Sequence, residues 1–247
     1  MAARMSQDLA LPLGNPALAF VPFSGAGPFT LQGDVDLARF LERPVISSDV
    51  LGTVSAFRVA RQNVIQSDLV FPTSMLFGDQ YDDQSASLGM PLGGALSVEI
   101  TCALDAVGDL SGYVATTPWE GETADPEVVF GPSAYNYIYG FGTAAPGAAP
   151  FTLTARANRR VKLGRMCWEA IGAAMDISSI QVAGSELLSG PGSIRIGIGP
   201  TSNPWHRTNS DVDGSYLGKW IEGGEAVVIT GTGAAGGTIR GGCFLDA

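Results

Sequence analysis

Oxygen-rich loops are the first places in this sequence that could do chemistry. In NSDVDG, Asn209, Asp211, Asp213 and Gly214 place oxygen ligands at alternate positions ahead of a glycine, which is how a calcium loop opens. Such a loop closes on a bidentate acid. The closing position here is Trp220, so the helix–loop–helix calcium site is excluded. Asp211 and Asp213 remain candidate ligands of a looser structural calcium site completed by another loop; the other reading is an Asx-type turn. A second acidic loop, GDQYDDQ, carries Asp79, Asp82 and Asp83 and reads as a solvated face before a metal site. The lone histidine, His206, would have to serve any Ser-His-Asp triad, yet no G-x-S-x-G elbow accompanies it. It reads as a loop residue or a pH-sensitive contact. Glu120, Glu122, Asp125 and Glu127 beside Trp119 could supply the carboxylates of a glycosidase, but that separation is set in space and the sequence singles out no pair. The expectation is a protein with no catalytic residues, not an enzyme.

Positive charge is concentrated in one segment. Arg156, Arg159, Arg160, Lys162 and Arg165 stand close together in a chain with 14 basic residues. Read as one strand, Arg156, Arg160 and Lys162 share a face and Arg159 and Arg165 take the other. Two uses fit: contact with an anionic inner surface, lipid or nucleic acid, or salt bridges to acidic residues of neighbouring subunits. Placement on opposite faces favours the second. Tyr135, Tyr137, Tyr139 and Phe141 alternate with Asn136, Ile138 and Gly140, the pattern of a core or inter-domain strand or, in the sharper reading, a sugar-binding platform.

These residues must be held by a scaffold of strands. The chain has 247 residues, 45% of them hydrophobic and only 15% charged, against about 25% charged in ordinary soluble domains. Gly (33) and Pro (15) punctuate recurring apolar runs, so they mark turns. A surface poor in charge suits a protein that buries itself against neighbours. The net charge of −10 argues against nucleic-acid binding over a broad basic surface. Cys102, Cys167 and Cys243 form no C-x-x-C pair and read as buried thiols in a chain made in a reducing compartment. The N-terminal stretch is broken by Asp8, Pro12 and Pro16 and is a poor signal peptide, and no apolar run is long enough to span a membrane.

The strongest internal signal is a repeat. LGMPLGGALSVEITCALDAVGDLSGYVATT (88–117) slides without gaps onto LGKWIEGGEAVVITGTGAAGGTIRGGCFLD (217–246). Val98, Ile100, Gly108 and Gly112 fall on Val227, Ile229, Gly237 and Gly241. Each copy reads as a β-hairpin closing one of two similar β-domains. Elsewhere, strands are expected at 17–23, 29–35, 55–60, 63–71, 151–155, 161–170, 176–183 and 193–199. A helical turn fits 35–41, ended by Pro44, with another near 170–175, and 73–87 reads as an exposed loop. The domain plan is an N-terminal arm (1–15), a first jelly roll with connector (16–142), a small-residue linker (143–150) and a second jelly roll (151–247).

The second half resembles a known family. An Arg-containing strand (152–165), the segment DISSIQVAGSELLSGPGSI, a loop, and GEAVVITGTGAAGGTIRGGCFLD are similar to the C-terminal part of capsid-type jelly rolls in small tailless phages. The resemblance implies a double jelly-roll major capsid protein of the membrane-containing icosahedral phages, corticovirus-like and their relatives. It implies trimers whose six jelly rolls tile a pseudo-hexagonal lattice. The partners implied are other copies of the chain, a vertex protein, and an internal membrane or genome beneath. The location implied is the virion, with synthesis in the host cytoplasm. The alternative from another class is a trimeric β-sandwich spike or carbohydrate- or receptor-binding module. The fold class expected is all-β: two tandem jelly-roll sandwiches with few or no helices.

Overall fold

Short alternating apolar runs between glycine and proline turns fold as strands. The computed structural model describes residues 17–20, 22–34, 39–59, 61–76, 90–92, 97–118, 138–147, 150–188, 190–198 and 216–246. The earlier part forms β1 (Ala17–Ala19), β2 (Phe23–Gly25), β3 (Phe29–Asp34), β4 (Arg39–Ser48), β5 (Gly52–Val59), β6 (Gln62–Asn63), β7 (Phe71–Pro72), a 3-10 turn (Thr73–Leu76), β8 (Met90–Leu92), β9 (Ser97–Leu104) and β10 (Gly108–Pro118). The later part forms β11 (Ile138–Ala144), β12 (Phe151–Arg156), β13 (Val161–Ile171), β14 (Met175–Val182), β15 (Ser185–Glu186), β16 (Ile194–Ile196), β17 (Tyr216–Ile221), β18 (Ala226–Gly233) and β19 (Thr238–Asp246).

Each part makes two antiparallel sheets. The first has β1-β10-β4-β8 and β3-β9-β5-β6; the second has β11-β19-β13-β17 and β12-β18-β14-β15. Numbering the strands on those paths along each half, both halves share one plan: first-eighth-third-sixth in one sheet, second-seventh-fourth-fifth in the other. Eight strands in two sheets with this order are a jelly roll. The protein is therefore all-β, with two jelly rolls in tandem.

The repeat is real, but it is not a hairpin. β9 pairs with β3 and β5, whereas β10 pairs with β1, β2 and β4. Likewise β18 pairs with β12 and β14, and β19 with β11 and β13. Each repeated unit is an arch that carries the chain from one sheet to the facing one. Alternation tells which side of a strand is buried, not which strand lies beside it, so an arch and a hairpin read alike. The matched glycines have matched tasks. A side chain on Gly112 would run into the Val45 carbonyl and Ile46, and one on Gly241 into the Trp168 ring.

A second repeat feature escapes an ungapped comparison. In β5 the buried positions Val54, Phe57 and Val59 are spaced three and then two; in β14 Ile177, Ile180 and Val182 repeat that spacing. The extra residue is a bulge, between Val54 and Ala56 in one strand and between Ile177 and Ser179 in the other. The next turn matches too. Arg61 and Ala183, the positive-φ non-glycine residues described, sit in the β5–β6 and β14–β15 hairpins.

Several expectations change. Residues 39–41 open strand β4 instead of a helical turn, and Pro44 lies inside it opposite Val114, beside a bulge where its missing N–H costs little. Residues 73–76, read as exposed loop, are buried, and the Thr73 hydroxyl donates to the Gly52 carbonyl at 3.2 Å. Residues 170–175 are no helix: β13 ends at Ile171 and β14 begins at Met175. The run 193–199 gives only the short β16, with Ile196 buried and Ile198 exposed. β11 pairs with β19, so Ile138–Ala144 opens the second jelly roll, and the stretch assigned to connector and linker partly belongs to its sheet. The arm 1–15 lies outside the described residues.

Candidate functional site

Among the described residues, two places gather charged, polar and aromatic groups: the joint between the two sandwiches, and the basic corner at one end of the second.

The joint is made by residues that leave the first sandwich and lie on the second. After β6 the chain does not continue as the expected strand 63–71; it crosses to β11. Ile65 bridges Ile138 in parallel, Gln66 N–H donates to the Ile138 carbonyl at 2.7 Å, and Gly142 N–H donates to the Val70 carbonyl at 2.9 Å. The Ser67 hydroxyl accepts from Gly140 N–H at 2.8 Å. Gly140 has no room for a side chain against the Leu69 and Val70 carbonyls, and Gly242 has none against Met75. These two glycines let the crossing segment and the 3-10 turn lie directly on the sheet. Ile138, Cys167 and Phe244 face out of the second sandwich and pack into the core of the first. Burial pushes the Cys102 thiol up to about 12 and raises Cys243 as well. All three cysteines are buried and none is in a disulfide, as expected.

The basic segment is not one strand. Arg156 ends β12, Arg159 and Arg160 turn the corner, and Lys162 and Arg165 lie on β13 in the facing sheet. The predicted sharing of faces fails for that reason. Its inner half belongs to the joint. Arg156 N–H donates to Asp68 Oδ1 at 3.0 Å, Asn158 N–H to the Gln66 carbonyl at 3.1 Å, and Arg159 Nε to Gln66 Oε1 at 2.7 Å. Partial burial lowers the pKa of the Arg159 guanidinium. Its outer half is on the surface. Arg160 pairs with Glu222 at 3.1 Å and lies 4.6 Å over the Trp220 ring. Lys162 is the register partner of Trp220 on the edge strand β17. The side chain of Arg165 lies outside the described residues.

Trp220 is 53% exposed, one of three large apolar side chains left open to solvent among the described residues. Trp220→Ala is expected to lower stability by less than about 1 kcal/mol, the scale of an exposed cation–π contact. Urea unfolding checks this, and a larger loss would mean that the ring is buried. The aromatic run resolves differently. Tyr139 and Phe141 are buried in the second core, and Tyr139 Oη donates to the Ala155 carbonyl at 2.6 Å. They are core residues, not a sugar platform; Tyr135 and Tyr137 lie outside the described residues.

Set against known proteins, the chain matches no protein-family model and no curated protein.

Among the described residues, no three His, Cys, Asp or Glu side chains gather as metal ligands. Asp211, Asp213, Asn209, His206, the acidic loop with Asp79, Asp82 and Asp83, and Glu120, Glu122, Asp125 and Glu127 all lie outside the described residues. No helix described is long and apolar enough to cross a membrane. Sequence reasoning missed Glu169 and Arg240, which meet at the joint. Their signal was available: each is a single charge inside an apolar strand, MCWEAI and TIRGGCF.

Proposed function

We propose that the protein is a structural shell protein, a major capsid protein whose trimers present six jelly rolls and tile a closed icosahedral surface. One observation carries the reading. Two jelly rolls of identical strand order stand side by side, joined by an apolar and hydrogen-bonded contact. They also stand the same way up. The β9–β10 turn of the first meets the start of β19, just after the matching turn of the second, through Asp105 and Arg240. At the other end, residues after β6 meet the corner between β12 and β13. A chain built this way offers two similar blocks in one orientation, so three chains give a near-sixfold outline from one protein. The function is mechanical, with no catalytic step. Its partners are other copies in the lattice, a vertex protein, and a membrane or genome on the inner face. It works in the virion after synthesis in the host cytoplasm.

Light scattering and negative-stain microscopy on the purified chain test this. Trimers that go on to form sheets or shells are expected. A monodisperse monomer at every salt and calcium concentration would overturn it. A second reading, a trimeric spike or carbohydrate-binding module, is favoured by the exposed Trp220 ring held under Arg160. Glycan binding abolished by Trp220→Ala, without lattice formation, would select it.

A further inference from the structure

Among the side chains described, two charged ones are buried, Arg240 (3% exposed) and Glu169 (8%). They are register partners on β19 and β13. Trp168 points into the second core, so its neighbour Glu169 points the other way, toward the first sandwich, as Cys167 does. From the first sandwich, Asp105 in the β9–β10 turn accepts a hydrogen bond from Arg240 Nη2. Arg240 Nε lies 3.6 Å from Glu169 Oε2, too far for a hydrogen bond. Neither Glu169 oxygen has a hydrogen-bond partner of normal geometry, nor do Arg240 Nε and Nη1. One buried guanidinium thus faces two carboxylates from opposite sides of the joint and satisfies only one.

We propose that Glu169 is a proton-operated latch on the joint between the two jelly rolls, closed when it carries a proton and loosened when it ionises. With the proton on, the cluster is a neutral acid beside an Arg240–Asp105 pair. With the proton off, two carboxylates share one guanidinium, and the buried Glu169 carboxylate lacks a hydrogen-bond donor of normal geometry between surfaces held together by apolar contact, so relief requires water to enter. The groups facing Glu169 are Arg240 from β19, Asp105 from the β9–β10 turn and Ser74 from the 3-10 turn, with Cys167 along its own strand. Burial is the largest influence and pushes the carboxyl up to about 7; Arg240 and Ser74 pull it down, and Asp105 pushes it up. The folded protein therefore keeps a proton that the unfolded chain releases near its ordinary value of 4.5. The contribution to stability is whole below that value, falls as pH rises through about 7, and stays low above. The device belongs to the single chain and stands apart from the shell reading.

The test is amide exchange at 167–171 and 240–244 in the full chain, corrected for its intrinsic pH dependence. Between about pH 5 and about pH 8, protection at the joint is expected to drop by up to about tenfold per pH unit within the window, while the far sheet β12-β18-β14 changes little. Glu169→Gln should flatten the profile. Asp105→Asn, at a half-exposed position, should move the midpoint to lower pH, because it removes a negative neighbour and frees Arg240 for Glu169. Flat protection in the unmodified chain would overturn the proposal. So would an unmoved midpoint in Asp105→Asn, or a Glu169 carboxyl carbon that titrates by NMR at an ordinary carboxylate value. The last two need no Glu169 variant to fold.

Discussion

Arg240→Ala is expected to destabilise the protein by about 3–5 kcal/mol near neutral pH, the cost of stranding a buried charge. The asymmetry of its two partners sets the size. Asp105 is 46% exposed and can return to water, but Glu169 cannot. The loss should shrink in mild acid, where Glu169 is neutral and no charge is stranded. Urea titrations at two pH values measure both effects. Equal losses at the two values would show that the arginine acts by packing alone. An uncharged replacement of similar length, Arg240→Met, should lose less than alanine in acid and nearly as much at higher pH.

Trp168→Ala should be of similar size, about 3–5 kcal/mol, for a different reason. Trp168 is among the largest fully enclosed side chains of the second core, stacked on Phe141 with ring centroids 5.0 Å apart. Its other side rests on Gly241, which has no atoms to move into the void. Neighbours fixed in sheets on both sides collapse poorly, so the cavity persists. Because Cys167 and Glu169 of the same strand belong to the joint, the first sandwich should lose protection with the second. One cooperative unfolding transition at lower denaturant is expected. Two separated transitions would show that the sandwiches fold independently, and a loss below about 1 kcal/mol would show that the site repacks.

Much of the fold was legible because apolar spacing reports burial directly. β9 alternates along its whole length and β18 as far as Gly231, and their residues align in one slide along the chain. The partner of a strand was not legible, because pairing is decided by what crosses the core, and so two arches were read as hairpins. Local signals also lost to tertiary ones. Pro44 should stop a regular segment, yet β4 absorbs it beside a bulge. The polar, proline-led stretch after Phe71 resembled a loop, yet Thr73–Leu76 fills the joint. The basic segment was found by composition, but its division between joint and surface depends on a corner that charge counting does not see. Glu169 and Arg240 lie far apart in sequence, and only the pairing of β13 with β19 gives them a shared meaning.

The joint has a direction. It sets the outward face of one sandwich's β11-β19-β13 sheet against a crossing segment and turn of the other, so its two sides are unlike surfaces on nearly like bodies. A two-fold pairing uses the same patch twice and is then finished. A head-to-tail contact leaves one half unmatched at each end of the pair. In this chain the sheet β1-β10-β4-β8 is the counterpart of the face that the second sandwich has already engaged. Contacts of that handed kind, repeated from chain to chain, close into rings if the turn per unit divides a circle and run on as filaments if it does not. Were such contacts repeated between chains, the way one sandwich is set on the other where residues after β6 meet β11 would fix that turn, and the geometry inside one chain would become the curvature of the assembly.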